Sequence, residues 1–390
     1  MHVLTVICRD GWMSGNLTEG WRRLGCGVEE FFYGTHMGKA WDRQGLAANR
    51  ATNQRLLEVA DRLASERRLD LIFCAIYDDV LEVDTIRRLR KLGAPVVNYH
   101  VDLVGQWYRV VRTGKYFDRI ACAHEAHWTG LRRAGARPYY LPMAANPPQV
   151  SATTSGAAFD GVVYLGSPWP YRQGVLAQLA RAGFPLRIYG NNWVGARRDA
   201  SNTHHWRKNL HDVLHYVGPR AREEGIGEVL ASLAGRFARG VSPVEPPPAI
   251  PVEAIRGRYE QQHFPALVTG AAVNLGFTHF RGTPGTPRER RQVRLREFEI
   301  PMAGGFYLTQ DCPQLRGLYK VGAHLETWST PDDLAEKVRH YLERPDARAA
   351  IARSGRAHAM KCHTWAERFR GLLAELSMAP PASAAVPAAQ

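Results

Sequence analysis

The run Arg296-Glu297-Phe298-Glu299-Ile300-Pro301-Met302-Ala303-Gly304-Gly305-Phe306-Tyr307-Leu308-Thr309 reads as a helix that ends in a glycine pair and drops into a buried strand. An acidic residue one helix face from such a turn can accept both hydroxyls of a ribose, and Gly304 and Gly305 let a ligand approach the backbone closely. A Schellman-type helix end beside a surface glutamate would use the same residues. Nearer the N-terminus, Pro95-Val96-Val97-Asn98-Tyr99-His100-Val101-Asp102 is a buried strand that delivers a His and an Asp at its C-terminal end. Either side chain can take a proton from a hydroxyl within hydrogen-bond reach, although a His after a strand is also a common structural residue. Gly11, Ser14 and Gly15 follow the first strand in a loop suited to a phosphate or a second substrate. His204, His205, His211 and His215 invite a metal reading, the last two at i, i+4. No third or acidic ligand accompanies them, so a solvent-facing or substrate-contacting segment fits better, and no Asp-x-Asp triplet stands in a convincing setting.

The elements that must position these groups alternate. Strands are predicted at 2–7, 27–32, 70–76, 95–99 and 118–122, with helices near 16–24, 50–66 and 82–92. Such alternation means a parallel sheet with helices on both faces. Leu56, Val59, Ala60 and Leu63 share one helix face, and Leu71-Ile72-Phe73-Cys74-Ala75-Ile76 is a fully buried strand. Leu141 to Ala158, with Pro142, Pro147 and Pro148, reads as a linker, after which the pattern restarts. Strands follow at 162–165, 186–189, 252–256, 272–275 and 306–309, with helices at 174–182, near 260–269 and at 293–303. A polar stretch from Gly190 to Val252 breaks the rhythm as an insertion, helical around 221–237. Thr330-Pro331-Asp332-Asp333 starts a capped helix that Pro345 ends. Helices at 346–354 and 364–377 close the fold, and the Ala/Pro-rich tail lacks the apolar content to order itself.

At 390 residues the chain can build two domains, each with its own core. No stretch approaches the 18 to 20 apolar residues of a membrane span, and the N-terminus reads as a strand without a basic leader, so a cytoplasmic protein is expected. The six cysteines are scattered, several in apolar runs, as buried thiols of a reducing compartment would be. A formal charge of +14 points to an anionic partner: nucleotide phosphates, an acidic glycan, an anionic membrane or nucleic acid. Seven of 51 basic residues are Lys, and so many arginines reflect either phosphate binding or base composition. No nucleic-acid motif is present, and the aromatics do not interleave with a basic stripe, so nucleic acid is disfavoured.

The segment from Arg296 to Thr309 continues through Asp311-Cys312-Pro313-Gln314-Leu315, Thr330-Pro331-Asp332-Asp333-Leu334, Arg344-Pro345-Asp346-Ala347-Arg348, Gly355-Arg356 and His363-Thr364-Trp365-Ala366-Glu367-Arg368. Together these resemble the C-terminal domain of the spore-maturation-protein-type glycosyltransferases, of the GT-B superfamily and akin to family 4. The resemblance is dense over about 252–373. It continues more thinly through Gly161-Val162-Val163-Tyr164-Leu165-Gly166-Ser167, Ile188-Tyr189-Gly190 and Phe117-Asp118-Arg119-Ile120, and leaves the insertion uncovered.

The resemblance implies an α/β chain with the GT-B fold, two facing Rossmann-like domains of parallel strands with a cleft between them. Residues 1–150 would form the acceptor-side domain and 151–363 the donor domain, with the insertion at about 195–250. A helix at 364–378 would return to the N-domain, and 379–390 would be a disordered tail. Glu299 would hold the donor ribose, with Arg296 part of the same pattern. Gly304 and Gly305 would stand beside the diphosphate, Gly166 and Ser167 in the phosphate-facing turn with Arg172 a few residues on, and Gly257, Arg258 and Tyr259 at the base. His100 and Asp102 would face the donor sugar.

Two positions depart from family 4. Arg291 replaces the usual second Glu eight residues before the ribose Glu, and Ser167 and Gln173 replace the basic pair of the first phosphate loop. Arg291, Arg294 and Arg296 would then supply fixed cations against the diphosphate, or else form a solvated basic face. The implied activity is metal-independent hexosyl transfer from a nucleotide sugar, a UDP-sugar first with GDP- and TDP-sugars as alternatives, to a hydroxyl of a glycan, lipid, protein or small molecule. No further cofactor is implied. The basic surface would allow peripheral contact with the inner membrane face or an acidic glycan. The alternatives are a nucleotide-sugar epimerase of the same fold and a non-catalytic anionic-ligand binding protein.

Overall fold

A computed structural model describes residues 1–9, 11–34, 43–148, 158–193, 216–227, 229–230, 250–280 and 289–381, with side chains from 49 onward in the helix Arg43–Ser65. The four insertion histidines, most of the insertion and the last nine residues lie outside the described residues.

The chain divides into two compact units. The first takes Met1–Pro142, the described residues between 216 and 230, and the chain from Trp365 onward; the second takes the described residues from Met143 to 193 and from 250 to Thr364.

The first unit is built on β1 (His2–Cys8), β2 (Gly27–Gly34), β3 (Leu71–Cys74), β4 (Val96–His100), β5 (Arg119–Cys122) and β6 (Pro138–Tyr140), in the order β2-β1-β3-β4-β5-β6. All five pairings are parallel. The central strands β3 and β4 are buried along their whole length, as helices on both faces of a parallel sheet require. On one face, Leu56, Ala60 and Leu63 of helix Arg43–Ser65 and Ile86 and Leu89 of helix Val83–Lys91 pack with Leu4, Val6 and Ile72. On the other, Trp21 of helix Glu19–Arg23 stacks on Phe369 of helix Trp365–Glu375 with ring centroids 4.0 Å apart, and Phe73 meets both edge-on. Gly20 makes this docking possible: a Cβ there would fall 2.4 Å from Trp365 Cβ.

Residues 216–224 of the insertion are helical and pack within the first unit. Trp107 Nε1 donates to Glu224 Oε1 at 2.5 Å, Arg220 holds the same carboxylate, and Tyr216 lies against Tyr108.

The second unit contains β7 (Phe159–Leu165), β8 (Leu186–Tyr189), β9 (Ile255–Gly257), β10 (Ala271–Leu275), β11 (Tyr307–Gln310) and β12 (Glu326–Trp328), all parallel, in the order β12-β11-β10-β7-β8-β9. Counted from its own first strand this is the doubly wound 3-2-1-4-5-6 order of dinucleotide-binding sheets. The cap on helix Pro331–Leu342 forms as expected, with the Thr330 side chain accepting from Asp333 N–H at 3.2 Å.

Several elements differ from expectation. The predicted strand 252–256 is a 3-10 turn, Val252–Ala254, followed by β9. The helix predicted to stop at 354 runs on to Cys362. Short edge strands β6 and β12 and the four-residue helix Pro313–Arg316 were not anticipated. No described helix is long and apolar enough to cross a membrane. Cys8, Cys26, Cys74, Cys122 and Cys312 are buried, and no disulfide joins any of the six.

Candidate functional site

In the second unit the chain leaves β7 toward β8 on one side and β10 toward β11 on the other. The C-terminal ends of these two neighbouring strands therefore form the topological switch point, where open α/β sheets bind ligands. After β7 the chain passes Gly166 and the exposed Ser167 and enters helix Pro170–Arg181, which begins with proline and has no side-chain cap. The first-turn amides of a helix have no intrahelical acceptor, so an uncapped start at this edge favours an anion.

Arg172 sits in that first turn. It is 8% exposed, and among the described residues its one hydrogen bond runs from Nη1 to Tyr164 Oη at 2.8 Å. Its guanidinium lies 4.0 Å from the Trp169 ring centroid and 5.7 Å from that of Phe277, and among the described residues no carboxylate pairs with it. Cation–π contacts return part of the desolvation cost of a buried cation, but not the whole. Burial raises the Tyr164 pKa, against the opposing pull of Arg172, so the phenol stays protonated. Gly166 permits this arrangement, because a Cβ would fall 2.3 Å from Tyr164 Oη. Gly190 lets β8 end against the same turn: its Cβ would meet Gly166 O at 2.2 Å. Arg294 adds a second guanidinium 5.1 Å from Trp169.

Across the switch point, β10 continues through Gly276-Phe277-Thr278 to His279. His279 is buried, edge-on to Tyr171 at 4.7 Å, and its Nε2 stands 2.8 Å from Glu289 Oε1. Burial lowers its pKa, with Glu289 pulling the other way. Its backbone N–H donates to Gln310 Oε1 at 3.2 Å, and Gln310 Nε2 donates to Tyr171 Oη.

Helix Arg296–Ala303 begins at the same edge. Arg296 donates to both Glu299 and Tyr259 Oη and lies 4.8 Å from the Phe264 ring. Burial acts against the Arg296 charge, but Glu299 and Tyr259 beside it leave its pKa raised. Thus Glu299, Arg296 and Tyr259 form one cluster, with Arg258 exposed on the same turn. Glu297 is wholly buried beneath them and accepts from Tyr307 Oη, Thr309 Oγ1 and Arg294 N–H; burial raises its pKa. It ties the helix start to β11.

Gly304 and Gly305 do not join this group. A helix returning between parallel strands carries its C-terminus to the opposite edge, and both glycines stand just before β11, near Thr269 to Ala271 and the start of β7. There Gly304, at φ +92°, ends the helix in left-handed backbone, and Gly305 N–H donates to Ile300 O at 3.1 Å. A Cβ on Gly305 would fall 2.9 Å from Val268 O. Their role here is the helix end and close packing, not contact with a ligand at the switch point.

In the first unit His100 ends β4, fully buried, its Nε2 3.0 Å from Gln106 O and its ring edge-on to Tyr77 at 5.1 Å. The Gln106 carbonyl can only accept, so Nε2 carries the proton. Burial pushes its pKa down to about 4, against the pull of the Gln106 carbonyl and Asp102, so the imidazole is neutral at pH 7. Asp102 precedes helix Leu103–Gln106, and its carbonyl accepts from Gln106 N–H at 2.9 Å. Arg109, 3.7 Å above the Tyr77 ring, pairs with Asp79 and donates to Gln106 Oε1. Among the described residues no group of three or more His, Cys, Asp or Glu is placed to hold a metal.

Sequence reasoning passed over Trp169, His279, Glu289 and Gln310. The signal that singled out His100, a polar residue just beyond an apolar strand, was equally present at His279.

A family model described as glycosyl transferase-like matches residues 228–374. No curated protein matches the chain in sequence. Among solved structures, sucrose-phosphate synthase from Thermosynechococcus elongatus is similar at TM-score 0.55 and 12% identity, over 97% of this chain and 99% of that one. HepE from Anabaena, in complex with UDP and glucose, is similar at TM-score 0.55 and 14% identity, again over 97% and 99%. AviGT4, a glycosyltransferase involved in avilamycin A biosynthesis, is similar at TM-score 0.50 and 15% identity, over 96% and 98%. At these identities the likeness is one of fold, and with two doubly wound parallel units the chain has the GT-B fold.

Proposed function

We propose that the chain is a GT-B glycosyltransferase of the spore-maturation-protein type, binding a nucleotide-diphosphate sugar in its second unit and passing the sugar to a hydroxyl acceptor held by the first. The observation that carries this reading is Arg172: a buried cation without a carboxylate partner among the described residues, beside an uncapped helix start at a Rossmann switch point. Such a charge is stabilised best by an anion that arrives with the substrate, and a diphosphate fits the place. Glu299 would take the ribose hydroxyls while Arg296 fixes its carboxylate, and Tyr259 would lie near the base. UDP is the first candidate because similar HepE holds UDP and glucose.

In the reaction the bond from the anomeric carbon to the diphosphate oxygen breaks, and its electron pair leaves with the diphosphate. Arg172 and Arg294 stabilise the charge that develops there, in place of a divalent cation. The acceptor oxygen forms the new bond to the anomeric carbon, and its proton passes to His100 or Asp102. Neutral His100 is in the state that can receive it. A cytoplasmic setting, with the basic surface near an anionic membrane or acidic glycan, belongs to the same reading.

The test is a thermal-shift panel of UDP, GDP, TDP, CMP and their common sugars on wild type, Glu299→Ala and Arg172→Met. A ligand at 100 times its Kd adds about 2.7 kcal/mol of stability. A shift with one base that both variants lose supports the donor site. No shift with any nucleotide, in folded protein, refutes it.

A further inference from the structure

We infer that Gln173 is a positioning residue for the donor diphosphate: it fixes the turn after β7 from its carbonyl side and so leaves the amides of that turn open to phosphate oxygens. The inference rests on the donor-site reading above.

A helix start can be held in two ways. A Ser, Thr, Asp or Asn at the cap accepts from a first-turn N–H, which steadies the chain but uses up a donor. Here the cap residue is Trp169, whose side chain has no acceptor, and Pro168 before it has no N–H. The turn is held by its oxygens instead. Trp193 Nε1 donates to Gly166 O at 2.8 Å, Tyr164 Oη to Ser167 O at 3.3 Å, and Gln173 Nε2 to Pro168 O at 2.7 Å. Gln173 also gives its backbone N–H to Trp169 O at 3.0 Å, so one residue in the first turn of the helix grips two successive carbonyls before it.

The carbonyls of Gly166, Ser167, Pro168 and Trp169 therefore each accept from the protein, whereas among the described residues the N–H groups of Ser167, Tyr171 and Arg172 meet no acceptor. A turn whose acceptors are satisfied and whose donors are open favours an anion and does not reorganise when one arrives. Arg172 belongs to the same framework, because the Tyr164 hydroxyl that donates to Ser167 O accepts from Arg172 Nη1 at 2.8 Å. Gln173 stands in for one member of the basic pair expected of family 4, and supplies shape where that residue would supply charge.

Full-length wild type and Gln173→Met, which keeps the length of the side chain without its donor, are titrated with UDP by calorimetry and with uridine by ligand-observed NMR. If the panel above selects another base, its diphosphate and nucleoside are used. The variant should bind UDP about tenfold more weakly, the worth of one neutral hydrogen bond, and should bind uridine, which has no phosphate, as the wild type does. Unchanged uridine binding also reports that the variant is folded. Equal UDP binding in the two proteins overturns the inference while leaving the donor site standing. So does a variant that loses uridine in the same proportion as UDP, which would make Gln173 a general support of the fold. A wild type that binds neither ligand overturns both readings together.

Discussion

Arg172 makes opposite demands on the free and the bound protein. Without a ligand its charge is buried beside aromatic rings, and replacing such an ion with an apolar side chain of similar length is commonly neutral or stabilising. Arg172→Met is therefore expected to melt at or above the wild-type temperature in the absence of nucleotide and to show no nucleotide-induced shift. A large loss of stability without ligand would mean that the guanidinium is structural. His100 governs a different property. Its unfolded imidazole titrates near 6.5 and its buried one near 4, so between these values the unfolded chain binds more protons and acid removes stability. Asp78, buried with its pKa raised to about 6, acts in the opposite sense, since its folded carboxyl gains a proton first. Urea titrations of wild type and His100→Asn at several pH values should show the variant gaining on the wild type as pH falls from 6.5 to 4. The gain should reach about 3 kcal/mol, with no change in the difference above pH 7. A difference that stays constant across the range would mean that His100 is not held neutral by burial.

Helices and strands in this chain depend on where backbones meet without side chains between them. Gly355 of helix Pro345–Cys362 lies against the His324 carbonyl, and a Cβ there would fall 2.1 Å from that oxygen. Gly174 in helix Pro170–Arg181 has open space around it. Gly355→Ala should cost about 1–3 kcal/mol by overpacking, whereas Gly174→Ala should stabilise by up to about 1 kcal/mol through helix propensity. Chemical denaturation of both variants checks the two signs together.

Nothing in the sequence distinguishes these glycines, because the difference lies in a neighbour far along the chain. The long buried strands and the capped helix at Thr330 were legible, since burial on both faces and a local cap leave patterns within a few residues. The edge strands β6 and β12 were not, as three residues cannot show a period. The same limit applies at the site. His100 and Glu299 could be picked as candidates from their local setting, but Arg172 gains its meaning from having no carboxylate beside it among the described residues, which no local pattern shows. Gly304 and Gly305 were misread because the run of letters hides which edge of a sheet a helix end reaches.

The two units have separate cores, and the residues proposed to hold the donor belong to the second alone. Two calorimetric transitions are expected, of which a nucleotide raises one. A ligand that raised both equally would show that the units unfold together. Residues 1–142 expressed alone would leave Trp21, Phe73 and Tyr99 without Phe369 and Trp365, and this uncovered aromatic face should drive aggregation. Supplying helix Trp365–Glu375 as a fused segment should restore soluble protein; soluble, folded protein from residues 1–142 alone would show that the helix is dispensable to the first unit. During translation the same seam imposes a delay. About 220 residues separate Pro142 from Trp365, and at roughly 5–20 residues per second the ribosome needs on the order of 10–45 s to bridge them. For that interval the earliest-made part of the chain waits unfinished, and it becomes a natural client for whatever chaperone guards apolar surface on nascent proteins.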